Sequence, residues 1–206
     1  MNRLVIIGAR AMGRETYAYA CECGIEVKGF LDSKVDALDG FDGYPPIMDS
    51  VERYRPCDED VFVVALGEPE YKFKYVQIIT AKGGKFTSVV HPRAYLGKNV
   101  KIGIGCIICP NTTITNDTEI GDHVIINIGA SVSHDNKVGN YTTVCPGARL
   151  AGRVRLGKEV FVGTGTSIIP DVNLGDNVYV AAGAVVTKSF ETGKVMGVPA
   201  KRICCE

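Results

Sequence analysis

The stretch NIGASVSHDNKVGNYTTVCPGARLAG, residues 127–152, contains the repeat that decides the fold of this chain. From Val132 onward a Val or Leu recurs within it at every sixth residue. The same interval extends from Val90 to Val186, and all seventeen positions are Val, Ile or Leu. Four residues after each comes a second position, mostly small or β-branched. Two inward positions in a six-residue period do not suit a 3.6-residue helix. They predict short strands joined by turns, as in a parallel β-helix.

Glycines repeat over a longer interval. Five of them, from Gly103 to Gly175, stand 18 residues apart, and so do four more from Gly129 to Gly183. Three hexads therefore form one coil, and seventeen hexads make about 5.7 coils. Because glycine returns at the same corner, we expect a backbone shape there that a Cβ would strain. An ordinary sandwich of short strands has no fixed period and is the disfavoured alternative.

Residues 1–86 follow a different pattern. Apolar runs predict buried strands, with helices between them and after the last, and residues 49–54 are interpreted as a short helix. The predicted strands are Leu4–Ile7, Val27–Leu31 and Val61–Leu66, and the predicted helices cover residues 15–23 and 71–82. This alternation predicts a small Rossmann-like parallel α/β sheet. We therefore expect two domains, residues 1–86 and 87–206.

Composition excludes several classes of protein. Lys plus Arg and Asp plus Glu number 23 each, so no strong field favours nucleic acid or an anionic membrane. No apolar run approaches the ~20 residues that span a bilayer. The eight cysteines include Cys204 and Cys205, which are adjacent and poorly placed for a disulfide. Reduced structural thiols are expected, in keeping with a cytoplasmic protein.

The loops after the predicted strands are candidates for ligand binding. Parallel sheets bind ligands beyond the carboxyl ends of their strands, here residues 8–13, Asp32-Ser33 and Gly67-Glu68. A helix starting near Met12 would direct free N–H groups at an anion such as a diphosphate. A plain structural turn is the alternative for residues 8–13, since GARAMG is not the full dinucleotide-binding motif. An NAD-dependent oxidoreductase is disfavoured because half a sheet has no place for the nicotinamide.

Of the three histidines, His134 attracts attention as a base. His91, before a proline, is expected to cap a turn, and His123 is expected at the surface. In the column of residues 18 apart, Gly152 follows His134 and would leave open space over the imidazole for a reacting group. Asp135 could orient the ring, although Arg153, one coil above, competes for that carboxylate. The histidine spacing does not suggest a metal site.

Segments along nearly the whole chain resemble one family. They are IIGARAMGRE, FLDS, ALGEPE, VVHPRAYLGKNVKIG, NIGASVSHDNKVG, PGARLAG and GVPAKRI. They resemble the bacterial hexapeptide-repeat acyltransferases that acetylate activated sugars, including UDP-4-amino-sugar N-acetyltransferases and sialic acid O-acetyltransferases. The resemblance implies a left-handed coil, against the usual crossover rule, a homotrimer, and acetyl-CoA bound between adjacent coils.

The resemblance also implies roles for individual residues. It makes His134 the general base and Asp135 the residue that raises its basicity, with no metal ligand. Positions implied to lie along acetyl-CoA are Gly152, Thr164 and Ala182, with Pro199 and Lys201 near its far end, and Thr143 stands where some members carry a second histidine near the cofactor. Positions implied to hold the nucleotide sugar are Arg10, Ala11, Met12, Asp32, Ser33, Lys34, Gly67 and Glu68.

The first loop departs from the family pattern, which usually has Gly or Ser-Gly and then often a histidine. Here Arg10-Ala11-Met12 could block the approach to phosphate or supply a charge of its own. We expect an acetyl-CoA-dependent N-acetyltransferase acting on a nucleotide-activated amino sugar, such as a UDP-4-amino-4,6-dideoxy sugar, by direct attack. O-acetylation of a sugar of the sialic acid type is one alternative. A non-catalytic trimeric sugar-binding scaffold is another.

Overall fold

The computed structural model describes residues 2–203, so Cys204 and Cys205 lie outside the described part. Its N-terminal part is a five-stranded sheet whose neighbouring strands are all parallel. The strands are β1 (Arg3–Ile7), β2 (Val27–Leu31), β3 (Ile47–Asp49), β4 (Asp60–Val64) and β5 (Lys85–Phe86), in the order β3-β2-β1-β4-β5. The two helices are α1 (Ala11–Glu22) and α2 (Pro69–Ala81). The predicted Rossmann-like sheet is confirmed.

Alternating side chains of β1 bury both faces of this sheet. Leu4 and Ile6 pack on the side of α1, whereas Val5 and Ile7 pack on the side of α2. A strand buried on both faces reads as a continuous apolar run, which is why the sequence showed it clearly.

Residues 49–54 do not form the short helix that was interpreted from the sequence. They contain the end of β3 and a turn, not a helix. The Phe30 N–H donates to the Pro46 carbonyl at 2.9 Å and the Asp32 N–H to the Asp49 carbonyl at 3.1 Å. Pairing with β2 therefore satisfies this backbone, and local propensity did not indicate it.

The second part is a left-handed parallel β-helix, as expected. Its first coil sheet contains β6 (Val89–Val90), β9 (Ile107–Ile108), β12 (Ile125–Ile126), β15 (Thr143–Val144), β18 (Phe161–Val162), β21 (Tyr179–Val180), β23 (Lys194–Gly197) and β24 (Ala200–Ile203). The second contains β7 (Tyr95–Leu96), β10 (Thr113–Ile114), β13 (Ser131–Val132), β16 (Arg149–Leu150), β19 (Ser167–Ile168) and β22 (Val185–Val186). The third contains β8 (Lys101–Ile102), β11 (Glu119–Ile120), β14 (Lys137–Val138), β17 (Arg155–Leu156) and β20 (Asn173–Leu174). From Ile108 to Val186 the six-residue positions fill the interior, whereas Leu96 in the first coil is 39% exposed.

The two glycine series have different physical causes. Gly129 and the three that follow it at 18-residue intervals have φ between +64° and +69°, a left-handed conformation that a Cβ would strain, as expected. The series from Gly103 does not have positive φ, so the expectation is wrong there. Instead a Cβ would collide with the next coil; at Gly121 it would lie 2.9 Å from the backbone nitrogen of Asn140.

The N-terminal part packs on the first coil sheet. Ile107 and Ile125 point out of the coil, yet both are buried in a cluster that includes Tyr19 of α1. At the equivalent outward position of the third sheet stand exposed charged residues such as Lys137. The apolar outward residues therefore mark the surface that the first part covers.

Candidate active site

The turn between β13 and β14, residues 133–136, brings two ionisable side chains together. His134 Nδ1 lies 2.6 Å from Asp135 Oδ2, and the two side chains are 52% and 54% exposed. Asp135 has φ +59° and forms the corner itself. Because a carboxylate only accepts hydrogen bonds, Nδ1 carries the ring proton and Nε2 keeps a free lone pair. The corner thus presents an imidazole whose tautomer is set by the Asp135 carboxylate.

The space over Gly152 is occupied, which corrects the expectation of an open approach there. A Cβ on Gly152 would lie 2.6 Å from both Cε1 and Nε2 of His134. The imidazole itself therefore fills the room that the missing side chain leaves. Gly152 holds the ring in place, and a reacting group must approach Nε2 from another direction.

Arg153 does not bind Asp135, although the sequence made it a competitor. Its guanidinium forms two hydrogen bonds with Asp171 one coil further, 2.7 Å from Nε to Oδ1 and 2.9 Å from Nη2 to Oδ2. The pairing lowers the pKa of the Asp171 carboxyl and raises that of Arg153. An exposed pair of this kind contributes little to stability. Because Arg153 binds Asp171, the Asp135 carboxylate remains free to bind His134.

Asn136 supports the same turn from inside the coil, and sequence reasoning missed it. Its side chain is fully buried, and Nδ2 donates to the carbonyls of Ser133 (2.7 Å) and Ala151 (2.8 Å), with His134 O at 3.3 Å. Three surrounding carbonyls fix the orientation of the amide. The available signal was a polar amide at an inward position where Val154 follows one coil later.

A second feature is a cleft of about 360 Å³ at the carboxyl ends of the N-terminal strands. It is lined by Ile7, Gly8, Arg10, Leu31, Asp32, Ser33, Val51, Leu66, Tyr71 and Tyr75. Asp32 ties its loops together, because Oδ2 accepts from the Ala9 N–H and Oδ1 from the Lys34 N–H, both at 2.9 Å. Helix α1 begins at this cleft without a side-chain cap and without an acidic residue in its first turn. Its first N–H groups are thus free for an anion.

The cleft and His134 lie on different sides of one chain. The N-terminal part covers the first coil sheet, whereas His134 stands at the corner between the second and third sheets. That corner is the edge of the coil opposite the covered sheet. A single chain therefore does not bring His134 to the cleft.

Comparisons with known proteins agree with this architecture. Residues 3–79 match the model of the PglD N-terminal domain, and residues 153–188 match the bacterial transferase hexapeptide (six repeats). The acetyltransferase domain of PglB from Neisseria gonorrhoeae is 26% identical with a TM-score of 0.90, over 98% of this chain and 100% of that one. PerB from Caulobacter crescentus, solved with CoA and GDP-perosamine, is 29% identical with a TM-score of 0.89, over 98% and 97%. No curated protein matches the chain.

The chain is similar to the hexapeptide-repeat sugar acetyltransferases along nearly its whole length. WeeI from Acinetobacter baumannii is also similar, at 27% identity and a TM-score of 0.86, over 98% of this chain and 100% of that one. The resemblance drawn from the sequence segments is thereby confirmed.

Thr143 of this acetyltransferase is not available to a ligand, contrary to the implied role beside the cofactor. Only 1% of the residue is exposed. Its hydroxyl receives a hydrogen bond from Lys72 Nζ at 2.7 Å and donates to the Gly67 carbonyl at 2.6 Å. Helix α2 covers it, so here the position serves the junction between the two parts.

The other implied cofactor positions are accessible, apart from Gly152. Thr164 and Ala182 are exposed and follow one another in the column at the corner between the first and second coil sheets. Pro199 and Lys201 are exposed in the antiparallel hairpin of β23 and β24. Gly152 stands at a different corner, so these residues occupy two edges of the coil.

The implied sugar-binding residues fall into two groups. Arg10, Asp32 and Ser33 line the cleft. Those outside its lining are Ala11, Met12, Lys34, Gly67 and Glu68. Tyr71 and Tyr75, which the sequence did not single out, form an aromatic wall from one face of α2. Their spacing of four residues in a predicted helix was the available signal.

The remaining histidines are structural. His91 is buried and caps a turn as expected, because its Nδ1 accepts from the Arg93 N–H at 3.0 Å. His123 is only 5% exposed, so its predicted surface location is wrong. Its ring stacks on Tyr141 at 5.3 Å and meets the edge of Phe86 at 4.7 Å. Burial in this aromatic junction lowers the pKa of His123 to about 4.

Two features are absent from residues 2–203. Neither helix is long and apolar enough to cross a membrane. No group of three or more His, Cys, Asp or Glu side chains in this range could hold a metal ion.

Proposed function

We propose that this enzyme transfers the acetyl group of acetyl-CoA to the amine of a nucleotide-activated sugar. The observation that carries the proposal is the pair of His134 and Asp135, joined at 2.6 Å on the coil of an acetyltransferase fold. PerB, which aligns over 98% of this chain, was solved with CoA and GDP-perosamine, an acyl carrier and a nucleotide amino sugar.

His134 acts as the general base of a direct transfer. The sugar amine attacks the thioester carbonyl carbon, the C–N bond forms, the C–S bond breaks and CoA leaves. Nε2 of His134 takes the proton of the attacking amine, and Asp135 stabilises the imidazolium through Nδ1. The Gly152 N–H, which has no hydrogen-bond partner in the described chain, is the donor that we assign to the developing oxyanion. No covalent enzyme intermediate is needed.

The cleft beside α1 is proposed to hold the nucleotide sugar. Arg10 supplies a positive charge next to the uncapped start of α1, and together they suit a diphosphate. We infer that Arg10-Ala11-Met12, which replaces the family's usual Gly or Ser-Gly, changes the contact with phosphate and does not block the site. Tyr71 and Tyr75 offer the opposite, aromatic wall. A uridine nucleotide stays a prediction.

We further propose a homotrimer whose active sites lie between chains. The acetyl-CoA positions occupy two edges of the coil, Gly152 on one and Thr164 and Ala182 on another, with Pro199 and Lys201 toward the far end of the cofactor. The cleft and His134 are likewise on opposite sides of one chain. A neighbouring copy supplies the missing half in both cases.

We also place the enzyme in the cytoplasm. All the described cysteines are free thiols, which is typical of a reducing compartment. The two parts of the chain, residues 1–86 and 87–206, are proposed as its acceptor-binding and donor-binding domains.

The test follows thiol release from acetyl-CoA with a panel of UDP-, GDP- and dTDP-linked amino sugars and with sialic acid. We expect release with an amino sugar, and a product whose acetyl group resists hydroxylamine because it is an amide. An ester product from a hydroxyl acceptor would establish O-acetylation instead. No release with any amine or hydroxyl acceptor would favour the non-catalytic scaffold.

A further inference from the structure

Lys72 is a fully buried amine at the junction of the two parts. It lies on α2 with none of its surface exposed, and Nζ donates to the Thr142 carbonyl at 2.9 Å and to the Thr143 hydroxyl at 2.7 Å. No carboxylate among residues 2–203 pairs with it within 4.0 Å. A lone buried amine is costly, and an apolar side chain of the same length would fill this space at less cost. Packing alone therefore does not account for a lysine here.

The hydrogen bonds from Lys72 continue to the loop beside the cleft. Thr143 accepts from Nζ, so its own proton is directed to the Gly67 carbonyl, 2.6 Å away. Gly67 follows Leu66 of the cleft wall and precedes the helix that carries Tyr71. The relay from Lys72 through Thr143 to Gly67 thus fastens one wall of the cleft to the coil.

We propose that Lys72 is a positioning residue for the acceptor, fixing the loop at Gly67 and the aromatic wall of α2 through Thr143. The inference rests on the proposed function, since it takes the cleft to be the nucleotide-sugar site. It also gives a reason for Thr143, which is closed to the cofactor but necessary to the relay.

Burial favours the neutral form of the Lys72 amine. Burial lowers its pKa to about 7, against weaker opposing effects of Cys106, Cys145, Glu159 and Glu68. Burial likewise raises the pKa of Cys106 and of Cys145 to about 11, so neither thiol supplies a negative charge at neutral pH. A neutral amine can still donate both hydrogen bonds.

The test compares Lys72→Met and Thr143→Val with Thr143→Ser, which keeps the hydroxyl. In the first two we expect the KM for the nucleotide sugar to rise about ten-fold, the equivalent of one buried hydrogen bond. The KM for acetyl-CoA should stay the same, and the Ser variant should resemble the wild type. Equal changes in both KM values, or the same loss in the Ser variant, would overturn the positioning role.

Hydrogen–deuterium exchange provides a readout that does not depend on the reaction. Peptides covering residues 65–71 should exchange faster in Lys72→Met and Thr143→Val than in the wild type, while coil peptides covering residues 149–174 stay protected. Unchanged exchange in residues 65–71 would refute the proposal. So would a uniform increase through the coil, which would indicate general destabilisation. If wild-type enzyme acetylates no amino sugar, the proposed function fails, yet this exchange experiment still decides on the relay.

Discussion

The imidazole of His134 lies in the space that a side chain on Gly152 would occupy, with Cε1 and Nε2 both 2.6 Å from the position of that missing Cβ. Two residues 18 apart in sequence are thereby stacked in adjacent coils, and the ring is held between the Gly152 backbone and the Asp135 carboxylate. The imidazole is therefore fixed before any substrate binds.

Gly152→Ala should displace the imidazole without unfolding the coil. Because a shift of about 1 Å can cost ~100-fold in rate, we expect kcat to fall by about that factor. Steady-state kinetics and thermal melting measure the two effects. Gly24→Ala is the control for a methyl group added in open space, since nothing lies within 4 Å of it; its left-handed backbone (φ +69°) makes it the more strained substitution of the two in conformation. Full activity of Gly152→Ala would show that the ring position is not critical.

His134→Ala should lower turnover by ~100-fold or more, because it removes the proposed general base. Acetyl-CoA binding, measured by calorimetry, should change little. Asp135→Asn keeps a residue that tolerates positive φ and removes only the charge, so a smaller loss is expected. Wild-type turnover in His134→Ala would exclude His134 as the base.

Asp171→Asn should lower turnover several-fold, because it frees Arg153 to bind Asp135 and draw that carboxylate from the imidazole. Arg153→Asn alone should have little effect on turnover or on stability, as expected for an exposed pair. The double variant should regain wild-type turnover, which kinetic assays of all three proteins can establish. If the double variant is no better than Asp171→Asn, the shielding of Asp135 is not the function of this pair.

Lys72 should make stability depend on pH. Its folded-state pKa of about 7 is below the ordinary value, so the unfolded chain binds more protons between pH 7 and the ordinary lysine range. The free energy of unfolding should therefore rise with pH from 7 to 8 in the wild type, by at most ~1.4 kcal/mol per pH unit. Urea titrations of the wild type and Lys72→Met should differ in this slope. Parallel slopes would mean that Lys72 is not the titrating group.

Complementation can test the shared site. Light scattering should give three times the chain mass of 22.1 kDa. Mixed trimers formed from His134→Ala and Asp32→Ala chains should recover activity that neither variant has alone, since one chain then supplies an intact base and the other an intact cleft. A stable active monomer, or no recovery in verified mixed trimers, would contradict a site between chains.

Sequence alone was sufficient for the coil. A period of six places every inward residue, and a period of 18 places every neighbour in adjacent coils, so His134 and Gly152 could be aligned without coordinates. Each coil is formed by residues close together in sequence and repeats the pattern of the coil before it, so the coil can be predicted from the sequence. Buried strands such as Leu4–Ile7 could also be predicted, because a continuous apolar run is a local signal. Strand β3 was missed because its pairing with β2 is not encoded in its own three residues.

Only the tertiary structure decided which contacts the aligned side chains make. Arg153 had two carboxylates within a coil of it, and only geometry assigned it to Asp171 and left Asp135 to His134. The family resemblance placed Thr143 near the cofactor, yet α2 buries it and Lys72, 71 residues away, donates to its hydroxyl. Periodicity determines which residues are stacked. Rotamers, burial and contacts between distant segments depend on packing across the whole chain, and no repeat in the sequence records them.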